Sequence, residues 1–246
     1  MKRRQLLALA LVAGLLLVPM AASADSPEMG PKPLTWVSYA MSQPGTGSDL
    51  AMYSGEQGAK IYDPLMADGH ILAWGVAMPI NHRPGDDWTV MEYVTFRDWA
   101  AVDAFMGSFM GLQMSKSPED RKAEMEKWYS LFEAGSHHDT LYRQMTFEAG
   151  DDLSPPAYFN LGYYNANPGQ GEALMGQFKK YAKPVMGTLM EAGTIKSWGV
   201  AVPEVHAGAA DSYVMWSGLD SLAARDAMLA GFEAAAKERG EEAQKA

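Results

Sequence analysis

The chain has 246 residues, 20 Lys+Arg, 30 Asp+Glu, five His, 18 Met and no Cys, for a net charge of −10. No Cys excludes disulfides, thiolate metal sites, cysteine nucleophiles and a lipid anchor on Cys, and the acidic balance argues against nucleic acid. At 48% apolar and 20% charged residues the composition is that of a globular protein, long enough for one large domain or two of roughly 100 residues.

Lys2, Arg3 and Arg4 open the chain, and an apolar run follows from Leu6 to Met20. Ala22-Ser23-Ala24 then supplies the small-x-small pattern that signal peptidase reads. Residues 1–24 are therefore expected to be a cleaved secretory signal. The run is short for a helix crossing ~30 Å of hydrocarbon. The mature chain is expected to be a soluble exported protein, periplasmic in a Gram-negative cell, with no membrane span.

The remainder contains itself twice. At an offset of 124 residues, Trp74-Gly75-Val76-Ala77-Met78-Pro79 meets Trp198-Gly199-Val200-Ala201-Val202-Pro203. Tyr39 meets Tyr163, Pro44-Gly45 meets Pro168-Gly169, and Gly69 meets Gly193. His82 meets His206, and Val90-Met91 meets Val214-Met215. A two-copy match this long predicts a duplicated domain. The expected units are 25–150, with an added helix, and 151–246, with a charged helical tail; Asp151 to Pro156 is the expected linker.

Each copy reads in the same order. A short strand comes first, about 34–41 and about 157–165. A Pro-Gly loop leads into a helix that stops at Gly69 or Gly193. In the second copy Leu174, Phe178, Tyr181, Val185 and Leu189 form one apolar stripe, which Pro184 kinks or restarts. Two strands follow, about 70–79 with 88–96 and 194–203 with 212–217. Leu72, Trp74, Val76 and Met78 share one face, and Ala73, Gly75 and Ala77 the other. Neither face is polar, so both are expected to be covered. A helix closes each copy, about 97–110 and 219–237. The first copy adds Ser115 to Gly135, an amphipathic helix by its Met125, Trp128, Tyr129 and Phe132. It also adds a last strand from Thr140 to Phe147; the second copy shows no equivalent.

Strand-helix-strand-strand-helix is most of a ferredoxin-like unit. With the W-G-V-A-x-P strand ending, this order resembles the dimeric α/β-barrel superfamily over about 36–110 and 157–237. That superfamily includes antibiotic-biosynthesis-type and haem-degrading monooxygenases, NIPSNAP-like proteins and chlorite dismutases. The resemblance implies an α+β fold of two tandem ferredoxin-like units with antiparallel sheets. They would pair as a barrel within one chain or in a homodimer.

Candidate chemistry centres on His82 and His206, each three residues after the strand-ending Pro and so at a repeated place in the fold. Imidazole there suits proton transfer or a haem ligand; the alternative is an exposed loop histidine. Asn81 and Arg83 flank His82 and make that copy the better site. Tyr39, Trp74, Tyr163 and Trp198 are expected either to wall a ligand cavity or to fill the core. His137-His138-Asp139 is compact, but neighbouring strand residues point to opposite faces, and no metal is expected. The Met residues at helical spacing (Met106, Met110, Met114) read as core filling rather than copper ligands.

The function expected is binding of a small, mostly apolar ligand. The resemblance adds monooxygenase-like activity that needs no cofactor, with His82 or His206 as base. The alternatives are a haem-binding protein and a non-enzymatic periplasmic interaction module.

Overall fold

A computed structural model describes residues 32–80, 88–150, 155–204 and 212–245. The expected signal peptide thus lies outside the described residues. So do Asn81, His82, Arg83 and His206.

β1 (Leu34–Ala40) leads through Gly45, at φ +84°, into α1 (Gly47–Ala67). Leu50, Ser54, Gly58, Tyr62 and Leu65 recur every three or four residues and form its buried stripe. The helix ends at Gly69, φ +73°, with its N–H on the Met66 carbonyl and the next N–H, of His70, on Leu65. That paired stop needs a left-handed residue, which glycine adopts at least cost. The second copy repeats both devices: Gly169 stands at φ +76°, and Gly193 at φ +67° donates to Met190 while Thr194 donates to Leu189.

β2 (Ile71–Ala77) and β3 (Val90–Phe96) follow. α2 (Trp99–Ser115) starts on Asp98, whose carboxylate accepts the Ala101 N–H at 2.9 Å. α3 (Pro118–Leu131) is the added helix, capped by Ser117 and opened by proline at its first position. β4 (His138–Ala149) completes the first copy.

The second copy runs β5 (Tyr158–Asn165), α4 (Gly171–Gln177), a π turn (Phe178–Ala182) and α5 (Lys183–Glu191). Pro184 has no N–H to give an α-helical bond, so the turn before it widens rather than breaks, and Lys183 donates back to Phe178. β6 (Ser197–Pro203), β7 (Ser212–Leu219) and the long α6 (Leu222–Lys245) finish the chain. No helix among the described residues is long and apolar enough to cross a membrane.

The seven strands among the described residues join one antiparallel sheet in the order β2-β3-β1-β4-β6-β7-β5. The first four form a complete ferredoxin-like set. The second copy contributes three, and α6 occupies the sequence where its fourth strand would be. The copies are stitched by β4 against β6, from Tyr142↔Pro203 to Ala149↔Ser197. β2 and β5 are left as the two outer strands.

The register corrects one part of the repeat. Ala77 faces Met91 across the first hairpin, but Ala201 faces Val214 across the second. Met91 is therefore equivalent to Val214, not Met215, and the offset on this strand is 123. A one-residue slip changes face: Met91 points inward, whereas Met215 packs among the helices.

Each copy builds its own core between sheet and helices. The first gathers Leu34, Tyr62, Leu65, Val94, Phe96 and Val102, and the second Met186, Trp198, Val200, Leu219 and Met228. Each large side chain so buried contributes about 1.5–3 kcal/mol. Trp128 and Phe132 bring α3 onto Leu50 and Val90. The other face of the sheet curls upon itself, carrying Phe159 of β5 to 5.0 Å from Tyr93 of β3, ring centre to ring centre.

Candidate functional site

The inner face of the curled sheet encloses a cavity of about 960 Å³, lined from all seven strands. Residue parity explains the lining. β1 sends in Thr35, Val37 and Tyr39, β3 Met91, Tyr93 and Thr95, and β5 Phe159, Leu161 and Tyr163. In β4 a bulge between Gln144 and Thr146 shifts the parity, so Tyr142 and Gln144 point inward before it and Phe147 and Ala149 after it. β2 gives its small face, Ala73, Gly75 and Ala77, which leaves room.

One end has a polar floor. Thr35 and Thr95 hydroxyls lie 3.0 Å apart, Gln144 donates to Thr35 at 2.7 Å, and the Trp216 indole donates to the Gln144 carbonyl at 3.1 Å. Thr35, Thr95 and Gln144 are buried. The network draws on β1, β3 and β4 of one copy and β7 of the other.

The other end carries hydroxyls. Tyr39 has its hydroxyl beside the phenols of Tyr142 and Tyr163. It is stacked on His138 at 4.9 Å and meets Trp88 edge-on at 5.5 Å. Burial, and then the two neighbouring phenols, push the Tyr39 hydroxyl well above the ordinary tyrosine range. Burial likewise raises Tyr142, and Tyr93 to about 12. These phenols stay protonated at neutral pH, so they offer O–H groups to an acceptor rather than a base. Between the ends lies an apolar belt of Val37, Met91 and Leu161. The cavity runs out past the β2 edge, where Gly55, Asp63 and Met66 of α1 border it.

The structure brings Tyr39 and Tyr163 together at this site. Trp198 it places on the opposite face: the side chain is buried in the helix-side core, and its indole donates to Glu148 at 3.1 Å. Trp74 borders the cavity at the open edge, but its ring packs 5.2 Å from Tyr62 and its indole donates to Asp63 at 2.9 Å. Asn81, Arg83 and both candidate histidines lie outside the described residues. His82 belongs to the segment joining Ile80 to Trp88, and both of those line the cavity. His137 sits 3.4 Å from Asp139, and no group of three or more His, Asp or Glu fit to hold a metal occurs among the described residues.

Tyr142, Trp88, Tyr93, Phe159, Leu161 and Trp216 are cavity residues that the sequence reading missed. For Phe159 and Leu161 the signal was present, since they share parity with Tyr163 on β5. For Tyr142 it was hidden by the β4 bulge.

No protein-family model matches the chain, and no curated protein matches its sequence. Solved structures do. A provisionally named monooxygenase from Lactobacillus acidophilus NCFM superposes with TM-score 0.57 at 13% identity, over 84% of this chain and 87% of that one. Another, from Fusobacterium nucleatum, superposes with TM-score 0.56 at 8% identity, over 87% and 88%. At such identities the likeness shows the fold, that of the dimeric α/β barrel, with both ferredoxin-like units here in one chain.

Proposed function

We propose that this chain is an exported protein that binds a small, mostly apolar, oxygen-bearing ligand inside its barrel and oxygenates it without a cofactor. The observation that carries this reading is the 960 Å³ cavity with the neighbouring hydroxyls of Tyr39, Tyr142 and Tyr163 at one end. An apolar belt with a few convergent polar groups is how small-molecule sites are built. Protonated phenols would hold a carbonyl or phenolic oxygen of the ligand and stabilise negative charge as it grows there.

The chemistry suited to such a site starts with loss of one proton from a CH₂ group conjugated with that carbonyl or phenol, the second hydrogen leaving later in the water. The carbanion reduces O₂, a hydroperoxide forms at the same carbon, and loss of water leaves a new carbonyl. One oxygen atom enters the product and the other leaves as water. The phenols are too weakly basic to start this. The base is assigned to His82, with Asn81 and Arg83 beside it, and His206 is the equivalent candidate in the second copy.

Native mass spectrometry of the protein purified from periplasmic expression tests export and ligand together. The expected species begins at Asp25 and carries one small organic molecule per chain. Retention of residues 1–24 would remove the export proposal. A Soret shift on haemin titration would replace the reading with haem binding. With the ligand in hand, Tyr39→Phe should weaken binding about five- to tenfold, the loss of one buried hydrogen bond of ~1 kcal/mol. Unchanged affinity measured by calorimetry would take Tyr39 out of the site. His82→Ala should retain binding and lose oxygen consumption; wild-type turnover in both that variant and His206→Ala would remove both histidines.

A further inference from the structure

A second pocket, of about 210 Å³, lies on the opposite face of the sheet from the barrel interior. Its walls are aromatic. Trp36 of β1 faces Phe105 of α2 at 6.2 Å, Tyr62 of α1 lies 5.7 Å from Phe105, and Phe109 follows one helical turn on at 6.1 Å. Two carboxyl groups join them, Glu92 from β3 and Asp139 from β4. The Tyr62 hydroxyl donates to Glu92 at 2.6 Å, and the Ser38 hydroxyl to Asp139 at 2.5 Å.

Among the described residues no lysine or arginine lines this pocket. His137 stands at the rim, 3.4 Å from Asp139. Two acids of like sign therefore share a part-buried aromatic recess without a full counter-charge. Ring faces attract cations, and desolvated carboxylates do so more strongly. A metal ion is the wrong guest, since hard cations need several convergent oxygen ligands and most of this wall is carbon. A cation with an apolar coat matches both halves of the lining.

We propose that this pocket binds a small organic ammonium ion, alkylated on nitrogen, with Trp36, Tyr62 and Phe105 against its alkyl groups and Glu92 and Asp139 balancing its charge. The site is separate from the barrel cavity and takes ligands of opposite character.

Proton linkage supports it. Burial, and then the charge of Asp139, raise the Glu92 carboxyl above its ordinary 4.5, while the Tyr62 hydrogen bond pulls the other way. The groups facing it are Tyr62, Asp139 and His137, with Ser38. An acid raised on folding is protonated more readily in the native state, so folding loses stability as pH climbs from about 4.5 through the raised value. Glu92→Gln keeps a partner for Tyr62 and removes the charge. It should melt at or above the wild-type temperature at pH 7, and the difference should vanish at pH 4.

The test is isothermal titration of the mature protein with choline, and with 3,3-dimethylbutan-1-ol as its uncharged carbon analogue. Choline is expected to bind saturably at one per chain, at least ten times more tightly than the alcohol. Its affinity should fall at least tenfold in Glu92→Gln and fall as pH is lowered from 7 to 4. Asp139→Asn, at an exposed position, is the second variant and should also weaken choline. Absence of saturable choline binding, equal binding of the alcohol, or wild-type affinity in both variants would overturn the proposal.

Discussion

Gly199→Ala is expected to destabilise the protein by about 3 kcal/mol or more, at the upper end of what overpacking costs. A Cβ at Gly199 would stand 2.6 Å from the Thr146 carbonyl oxygen and 2.7 Å from Trp216 Nε1. Neither obstacle can yield. The carbonyl belongs to β4, at the seam that joins the two copies. The indole is held by Gln144 at 3.1 Å and packs against Phe147 at 5.7 Å. The matched position in the first copy is the control. A Cβ at Gly75 would come within 2.8 Å of the Tyr93 hydroxyl, but that is the far end of a side chain with open cavity beside it. Gly75→Ala should therefore cost about 1 kcal/mol. Urea melts of the two variants measure this, and equal losses would refute the packing argument.

The second large effect is expected at the cavity floor. Gln144→Leu removes the acceptor of the Trp216 indole and the donor to Thr35 while keeping an apolar side chain of similar size. Thr35 retains Thr95, but the indole N–H is left unpaired beside the cavity. A buried donor without a partner costs about 1–3 kcal/mol, and the lost bond to Thr35 adds about 1. The expected loss is about 2–4 kcal/mol. Trp216→Phe removes the orphaned donor. In the Gln144→Leu background it should thus cost about 1 kcal/mol less than in wild type. A coupling near zero would mean that the floor bonds are incidental to folding.

The parts of this fold that rest on local chemistry were legible before any coordinates. Gly69 and Gly193 announced helix ends because a left-handed stop needs glycine. Thr140 to Phe147 read correctly as a strand, and the missing fourth strand of the second copy was visible as a helical tail. What failed to show was pairing between distant segments. The β4–β6 seam has no sequence mark, and the slip that sets Met91 against Val214 arises from one residue fewer between β6 and β7 than between β2 and β3. Faces were the other blind spot. Trp198 alternates with small residues, as a cavity wall would, yet Ser197 and Ala201 face the cavity while Trp198 fills the helix-side core; Trp74 borders the cavity at its open edge. Alternation separates two faces but does not say which one is inside when both are apolar. Tyr142 and Gln144, central to both ends of the site, were unreadable because a bulge in their strand breaks the period of two.

The unequal strands of the two copies carry a stereochemical consequence. A barrel closed by two identical units has a twofold axis, so any guest has two poses of equal energy. Here the axis survives only in outline. Tyr39 and Tyr163 keep it. Thr35 and Thr95, however, stand where the second copy has Phe159 and Gly218, Tyr93 stands where it has Trp216, and only one copy supplies a fourth strand. Turning a flat guest over exchanges a hydroxyl-lined wall for a phenyl-lined one. The two poses therefore differ in energy. The inequality of the two units thus gives the guest one preferred orientation where an exactly twofold barrel would offer two equivalent ones.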